Sequence, residues 1–551
     1  MTPLPNPALV TREAAHRLPR LALLLFCAAY VLPGLFGRDP WRGADLNAFG
    51  QMLALAEGRA PWLAPALGGV PTGASLLPHW IGAAGIVIGS PWLDAAVAAR
   101  LPFALLLVLT LVAVWHATFH LARTEAAQPL PLAFGGEADA TDYARAIADG
   151  AVLALIATLG LLQLGHETTP ELAQLAALGC FQWSLAAALH RAPWLPRLGI
   201  LLSLPALAAS DAPAMALAIG LGSVVLGWRT GVPPVLRRLV PWIAAATVLA
   251  MLVAWPVHAW RWRIAAVIDP LQLVRLLVWF LWPAWALALW TLWRWRRHLL
   301  QLHLAIPLLS AVVALATCVL MGGADRALML ALPGLAILAA FALPTLRRSA
   351  SAGIDWFSVF FFSLCALTIW VVYVAMQTGV PAKPAANVQR LAPGFQAHWS
   401  LLATALAVAG TAAWVWLVRW RTGRHQAALW KSLVLPAGGV ALCWLLLMSL
   451  WLPLLDYGRS YRATIDRLQR WLPAEGCVAA PGATASLVAA LEYYARRRVD
   501  ASPDAARGRC EVLVIVTRGA ARPPTPPAWR EVARERRPTD RNEWISVYRR
   551  G

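Results

Sequence analysis

Ten charged side chains draw attention by their placement, each in a short polar break beside an apolar stretch: Asp39, Asp45, Glu167, Glu171, Asp211, Arg261, Arg263, Asp269, Asp325 and Arg326. Charges close to membrane depth are costly and often functional, although any loop needs polar residues. A carboxylate within reach of a hydroxyl can take its proton, and an arginine can hold a phosphate through two parallel hydrogen bonds. The run His166-Glu167-Thr168-Thr169-Pro170-Glu171 places an imidazole and two carboxylates within one loop. Such a set can ligate a metal. Equally, Thr169-Pro170-Glu171 reads as an ordinary helix start, with threonine as cap and proline in the first turn. Nothing in the chain has the spacing of a dedicated metal or cofactor motif, and a divalent metal is not excluded.

What must position these groups is an array of apolar spans. Sixty per cent of the 551 residues are hydrophobic and 13% are charged, against about a quarter charged in soluble globular proteins. The net charge is +20, but it lies in short clusters between apolar stretches rather than along one face, which argues against nucleic acid. Lys383 and Lys431 are the two lysines; arginine supplies the rest. The first apolar stretch is followed by no small-x-small cleavage site and by many further spans, so it reads as a span and not a signal peptide.

Stretches near 21–36, 101–120, 150–165, 171–189, 197–209, 213–228, 239–256, 273–292, 303–321, 327–345, 356–376, 400–418 and 432–452 read as membrane crossings, about thirteen in all. The segment 76–88, flanked by Pro78 and Pro91, is short for a crossing and reads as interfacial or re-entrant. Arg12, Arg17 and Arg20 place the N-terminus in the cytoplasm. Arg123, Arg191, Arg237, Arg297, Arg347, Arg419 and their neighbouring basic residues then also fall on the cytoplasmic side. Counting 76–88 as a crossing would reverse that bias. The ten charges named above land on the outer face.

The expected class is thus an all-α polytopic membrane protein, residues 1–453 with a large first outer loop at 37–100. A small α/β domain follows at 454–551, in the periplasm. In this tail 462–472 reads as an amphipathic helix ended by Pro473, 483–494 as a helix, and 477–480, 511–517 and 544–548 as strands. Cys477 and Cys510 each open an expected strand. Neighbouring parallel strands in an oxidising compartment would let them pair as a disulfide, the alternative being two half-buried thiols. The other five cysteines fall within apolar spans. The 30 tryptophans read mostly as interfacial belts, while Trp41, Trp62, Trp260 or Trp262 could stack on a sugar.

The first outer loop carries a resemblance. Asp45 and Phe49, then Trp62 and Pro65, then Leu67-Gly-Gly-Val-Pro71, are spaced like the first periplasmic loop of glycosyltransferase family 39, the GT-C fold of lipid A aminoarabinose transferases and protein O-mannosyltransferases. Trp279-Phe-Leu-Trp282-Pro283 resembles that family's W-F-x-W-P segment, and Ala324-Asp325-Arg326 its polar turn before a leucine-proline span. The resemblance implies transfer of a sugar from a polyprenyl-phosphate donor to an acceptor hydroxyl on lipid A, another glycan or a protein, with inversion at the anomeric carbon. It implies that Asp45 is the catalytic base, a role compatible with capping a helix expected over 46–57. Arg261, Arg263 and Arg326, with Asp325, become candidates for holding the donor phosphate. Glu171 matches loosely an acid that faces the first loop in related enzymes.

The chain also departs from the family. Leu46 replaces an acid, the lysine of the K-P-P motif is absent, and Ser210-Asp211-Ala212-Pro213 stands where T-K-G-P is found, Asp211 being a candidate cap for the next helix. The family's phosphate contacts therefore do not carry over. A non-catalytic relative that binds a lipid-linked sugar is the second expectation. A transporter is the third, disfavoured because the charges cluster in outer loops rather than in broken helices at mid-bilayer.

Overall fold

A computed structural model of the chain describes residues 8–73, 75–131, 135–229, 233–256, 259–260, 264–265, 267–423, 428–519, 527–540 and 542–551. They form two compact units. The first comprises residues 1–33, 103–366 and 406–446, the second 34–102, 367–405 and 447–551.

The first unit is helical. Its helices begin where the sequence offers stops and starts: Pro170, Pro213, Pro234 and Pro270 each open one, where a missing N–H is no loss. Asp269 caps Pro270–Phe280 by accepting from the N–H groups of Leu271 and Gln272 at 2.9 and 3.2 Å. Leu332–Ala340 is buried at every residue, as expected for an all-apolar helix packed inside a bundle.

Along the whole chain, seven described helices are long and apolar enough to cross a membrane. An eighth arises if the bent pair Pro270–Phe280 and Ala284–Arg294 is one span. Arg20–Val31, Trp194–Ala209 and Pro213–Trp228 are shorter apolar helices.

The stretch 273–292, expected as one crossing, is broken at 281–283 and bent by 90°. The apolar run continues through it, but Pro283 stands at the break, where its missing N–H and ring end a helix. The freed carbonyls are satisfied within the unit: Gly160 N–H donates to Phe280 O at 2.8 Å and Leu159 N–H to Trp282 O at 3.1 Å. Paired backbone is what allows a helix to break among apolar surroundings.

The second unit joins residues 34–102 and 367–405 to the tail. Helix Ala44–Ala56 packs on helix Leu76–Gly89 and on helix Ala485–Tyr493 of the tail. A small hairpin, β1 (Ala66–Leu67) and β2 (Val70–Pro71), lies between them in sequence. The approach of the tail helix is close at Gly50: a Cβ there would lie 2.4 Å from the Cβ of Ala489. Gly50→Val should therefore push the two helices apart and cost about 2 kcal/mol, read as faster limited proteolysis of the tail. Unchanged proteolysis would mean that this contact does not hold the unit together.

The tail carries β3 (Cys477–Ala479), β4 (Arg498–Asp500), β5 (Val512–Arg518), β6 (Trp529–Arg536) and β7 (Glu543–Arg550) in the order β4-β3-β5-β7-β6. The first three are parallel; β7 runs antiparallel to both β5 and β6. Strands β4 and β6 went unread in the sequence. The first is three residues long, and the second (WREVARER) is so rich in charge that its alternation does not look apolar. Ile465 and Leu468 are fully buried, as the amphipathic helix required.

Cys477 and Cys510 are joined as a disulfide, their Cα atoms 5.1 Å apart across 33 residues of chain. They pack with Ala479, Leu513, Trp529 and Tyr548 in the tail core. Closing a loop of this length should contribute about 4 kcal/mol. Replacing both cysteines with serine should lower the denaturation midpoint of the tail accordingly, and non-reducing peptide mapping should recover the linked peptide. Recovery of both peptides unlinked would show the pair to be reduced.

Candidate active site

In the second unit the segment before helix Ala44–Ala56 is pinned from two sides. Arg100, buried in helix Ala95–Ala122, donates to the carbonyl of Leu35 at 3.1 Å and that of Arg38 at 2.8 Å. Gly43, at φ 101°, then turns the chain into the helix, a conformation that costs glycine least. Asp45 was expected to cap a helix starting at Leu46. It lies instead inside the first turn of a helix that starts one residue before it, because Gly43 occupies the cap position.

The Asp45 carboxylate is 2% exposed and meets the Arg38 guanidinium, which is fully buried, at 3.5 Å. Asp45 Oδ2 also accepts the Trp41 backbone N–H at 3.0 Å. A buried carboxylate needs both a counter-charge and hydrogen bonds, and these two contacts supply one of each. Its position near a helix N-terminus adds a favourable dipole.

Trp41 is the junction of a second layer. Its indole N–H donates to Asp456 Oδ1 at 2.8 Å. The guanidinium groups of Arg38 and Arg459 lie 4.7 and 4.8 Å from the centre of its ring, within cation–π range. Asp456 Oδ2 accepts the Asp39 N–H at 3.2 Å. Asp39 in turn is gripped through both carboxylate oxygens by Arg462, at 2.5 to 3.1 Å.

Burial, and then the charge of Asp39, push the Asp456 carboxyl up to about 7, against the pull of the Trp41 hydrogen bond. Asp39, Asp456 and Arg462 line a cavity of about 510 Å³ together with Tyr457, His398 and Asp466. Arg38, Arg100, Asp456 and Arg462 were not singled out from sequence. Their partners lie up to 423 residues away, and no spacing rule reaches that far.

The first unit holds a separate cluster. Arg326, in the short helix Asp325–Met329, donates to Glu167 at 2.5 Å and to the Thr169 hydroxyl at 3.3 Å, and lies 3.7 Å from Glu171. Gln163 adds a hydrogen bond to Glu167 at 2.7 Å. Thr169 precedes helix Pro170–Ala187, but its side chain makes no capping bond to that helix and faces Arg326 instead.

Glu171, Asp211, Asp325 and Arg326 line a cavity of about 330 Å³, walled on its apolar side by residues such as Trp260 and Leu320. Asp211 does not cap the following helix: Ala212 holds that position, and Asp211 sits at φ 72°. His166 is not aimed at these acids, its ring nitrogens each lying 2.7 Å from a carbonyl, those of Leu162 and Tyr30. Among the described residues no three His, Cys, Asp or Glu side chains gather as a metal-binding group. Arg261 and Arg263 lie outside the described residues.

No protein-family model and no curated protein sequence matches the chain. Solved structures do. ArnT from Cupriavidus metallidurans bound to undecaprenyl phosphate superposes with a TM-score of 0.60 at 15% identity, over 96% of each chain. The same protein in its apo state gives 0.61 at 15% identity over the same coverage. A cryo-EM structure of the arabinosyltransferase EmbB from Mycobacterium smegmatis matches more loosely, with a TM-score of 0.40 at 14% identity, over 93% of this chain and 44% of that one. Over nearly its whole length, from the apolar bundle to the tail sheet, this chain has the fold of ArnT.

Proposed function

We propose that the chain is a glycosyltransferase of the bacterial inner membrane. It moves a sugar from a polyprenyl-phosphate donor to a periplasmic acceptor, which is lipid A, another glycan or a protein, with inversion. The observation that carries this reading is the placement of Asp45: a single carboxylate at the start of the first-loop helix, held by Arg38 and the Trp41 amide, in a chain with the fold of ArnT. One of the ArnT structures is bound to undecaprenyl phosphate, the class of lipid expected here.

In this mechanism an acceptor hydroxyl gives its proton to Asp45 while its oxygen forms a bond to the anomeric carbon. The bond from that carbon to the donor phosphate breaks on the opposite side, and the polyprenyl phosphate leaves. Arg326, in the first unit, is a candidate for holding a polyprenyl phosphate through charge-assisted hydrogen bonds, and Arg261 and Arg263 are further phosphate-binding candidates. Glu167 and Glu171 tune the availability of Arg326, with Asp325 beside it. At 2% exposure Asp45 is shielded in this structure, and an acceptor reaches it only when the site opens.

The chain is threaded about thirteen times, with the N-terminus in the cytoplasm and the tail in the periplasm, where a Cys477–Cys510 disulfide persists. Residues 1–453 form the transmembrane domain and 454–551 the soluble one.

A second reading, a non-catalytic relative that binds a lipid-linked sugar, is favoured by two observations: Arg326 is already engaged by Glu167 and lies close to Glu171, and the family's lysines are missing. Incubating the purified protein with a panel of polyprenyl-phosphate sugars and with lipid A, glycan or peptide acceptors separates the two. Sugar transfer with release of polyprenyl phosphate supports the enzyme; saturable donor binding with no transfer to any acceptor supports the relative.

A further inference from the structure

We propose that Asp456 is a positioning residue for Asp45, acting through Trp41. The inference rests on the reading of Asp45 as the base. Its basis is a continuous set of contacts within the second unit. Asp456 accepts the indole N–H of Trp41 with one oxygen and the backbone N–H of Asp39 with the other. These two bonds fix both ends of the segment 39–41. From that segment the Trp41 amide reaches Asp45 Oδ2, and the Trp41 ring backs the Arg38 guanidinium that pairs with Asp45. Asp456 thus acts through Trp41, whose amide contacts the carboxylate and whose ring backs its Arg38 partner.

The cavity beside it gives Asp456 contact with solvent, so the device can respond to protonation. Asp456 is surrounded by Asp39 and Arg38 from the loop, by Arg462 and Asp466 from helix Arg462–Leu468, and by Arg459 and Tyr457 on its own helix. Tyr494, Arg100 and His398 complete the set. As a carboxylate it accepts both hydrogen bonds with charge assistance; protonated, it loses that assistance. Burial favours the neutral form, and the grip on Trp41 favours the ionised one. Burial and the Asp39 charge outweigh that grip, so the closed segment takes up a proton and its hold on 39–45 weakens as pH rises through about 7.

Hydrogen–deuterium exchange of the full chain in detergent tests this without a known substrate, because the Trp41 amide reports directly on its bond to Asp45. In Asp456→Asn, peptides spanning 39–45 are expected to exchange about tenfold faster, while those of helix Ala485–Tyr493 stay unchanged. Trp41→Phe, which removes the indole donor, is expected to match that effect, and the double variant to add nothing further. After correction for intrinsic rates, the wild-type segment loosens above about pH 7 and the Asp456→Asn segment does not respond. Unchanged exchange in Asp456→Asn, acceleration spread equally over the tail helix, or additive effects in the double variant would each overturn the proposal. Should Asp456→Asn not fold, Trp41→Phe carries the same reading alone. Failure of the Asp45 assignment shows separately, as sugar transfer that survives Asp45→Asn.

Discussion

Asp45→Asn is expected to lower sugar transfer about a thousandfold, within the usual range for removing a general base. Asparagine keeps the shape, and its side-chain oxygen can still accept the Trp41 N–H. It cannot take a proton from an acceptor hydroxyl. The substitution has a second consequence. Arg38 is fully buried beside Asp45, and removing the partner of a buried charge costs about 3 kcal/mol or more. A loss of activity by itself would therefore not separate catalysis from folding.

The double variant Asp45→Asn/Arg38→Gln does separate them. Removing both charges should recover most of the lost stability, measured as thermal unfolding in detergent, and none of the transfer. Recovery of transfer in the double variant would make Asp45 structural only. Full activity in Asp45→Asn would remove it from the reaction.

Arg326→Ala is the second large effect. If this guanidinium holds the donor phosphate, its loss should weaken binding of undecaprenyl phosphate about a hundredfold, in line with charge-assisted hydrogen bonds of about 1.5–3 kcal/mol. In the described structure the group faces Glu167 at 2.5 Å and Glu171 at 3.7 Å. A phosphate must compete with those carboxylates.

Glu167→Gln then has an informative sign. It removes a competing charge while keeping an acceptor for Arg326. Undecaprenyl phosphate should bind several-fold tighter to this variant if Arg326 serves the phosphate. It should bind no better if Arg326 exists only to neutralise Glu167, which is 3% exposed. Direct binding measured by tryptophan quenching distinguishes these outcomes. The Glu167→Gln/Arg326→Ala double variant, with neither charge, checks that loss of binding in Arg326→Ala is not the cost of a stranded carboxylate.

Much of the architecture was legible in the chain. Apolar runs of span length, proline at helix starts and arginine clusters between spans are short-range features, readable without a fold. The tail helix carrying Ile465 and Leu468 followed from its periodicity, though it ends at Leu468 rather than at 472, and the strand Val512–Arg518 from an apolar run read at 511–517. So did attention to Asp45, Glu167, Glu171, Asp325 and Arg326, since charges beside apolar runs are conspicuous.

Tertiary structure decided the rest. Gly43 moved the helix start, so that Asp45 became a first-turn residue rather than a cap. The loop at 159–160 supplied the hydrogen bonds that permit the break at 281–283. The arginine-rich strand Trp529–Arg536 formed because Glu543–Arg550 offers it an antiparallel ladder, interrupted by one register shift between Glu531 and Ala533. Above all, the contacts that orient Asp45 run from the first loop to Arg100, and through Trp41 to Asp456, 415 residues away. A residue's type and its near neighbours determine which element it joins. The field, the burial and the hydrogen-bond partners that decide what a carboxylate can do are set by groups brought together only when the chain folds.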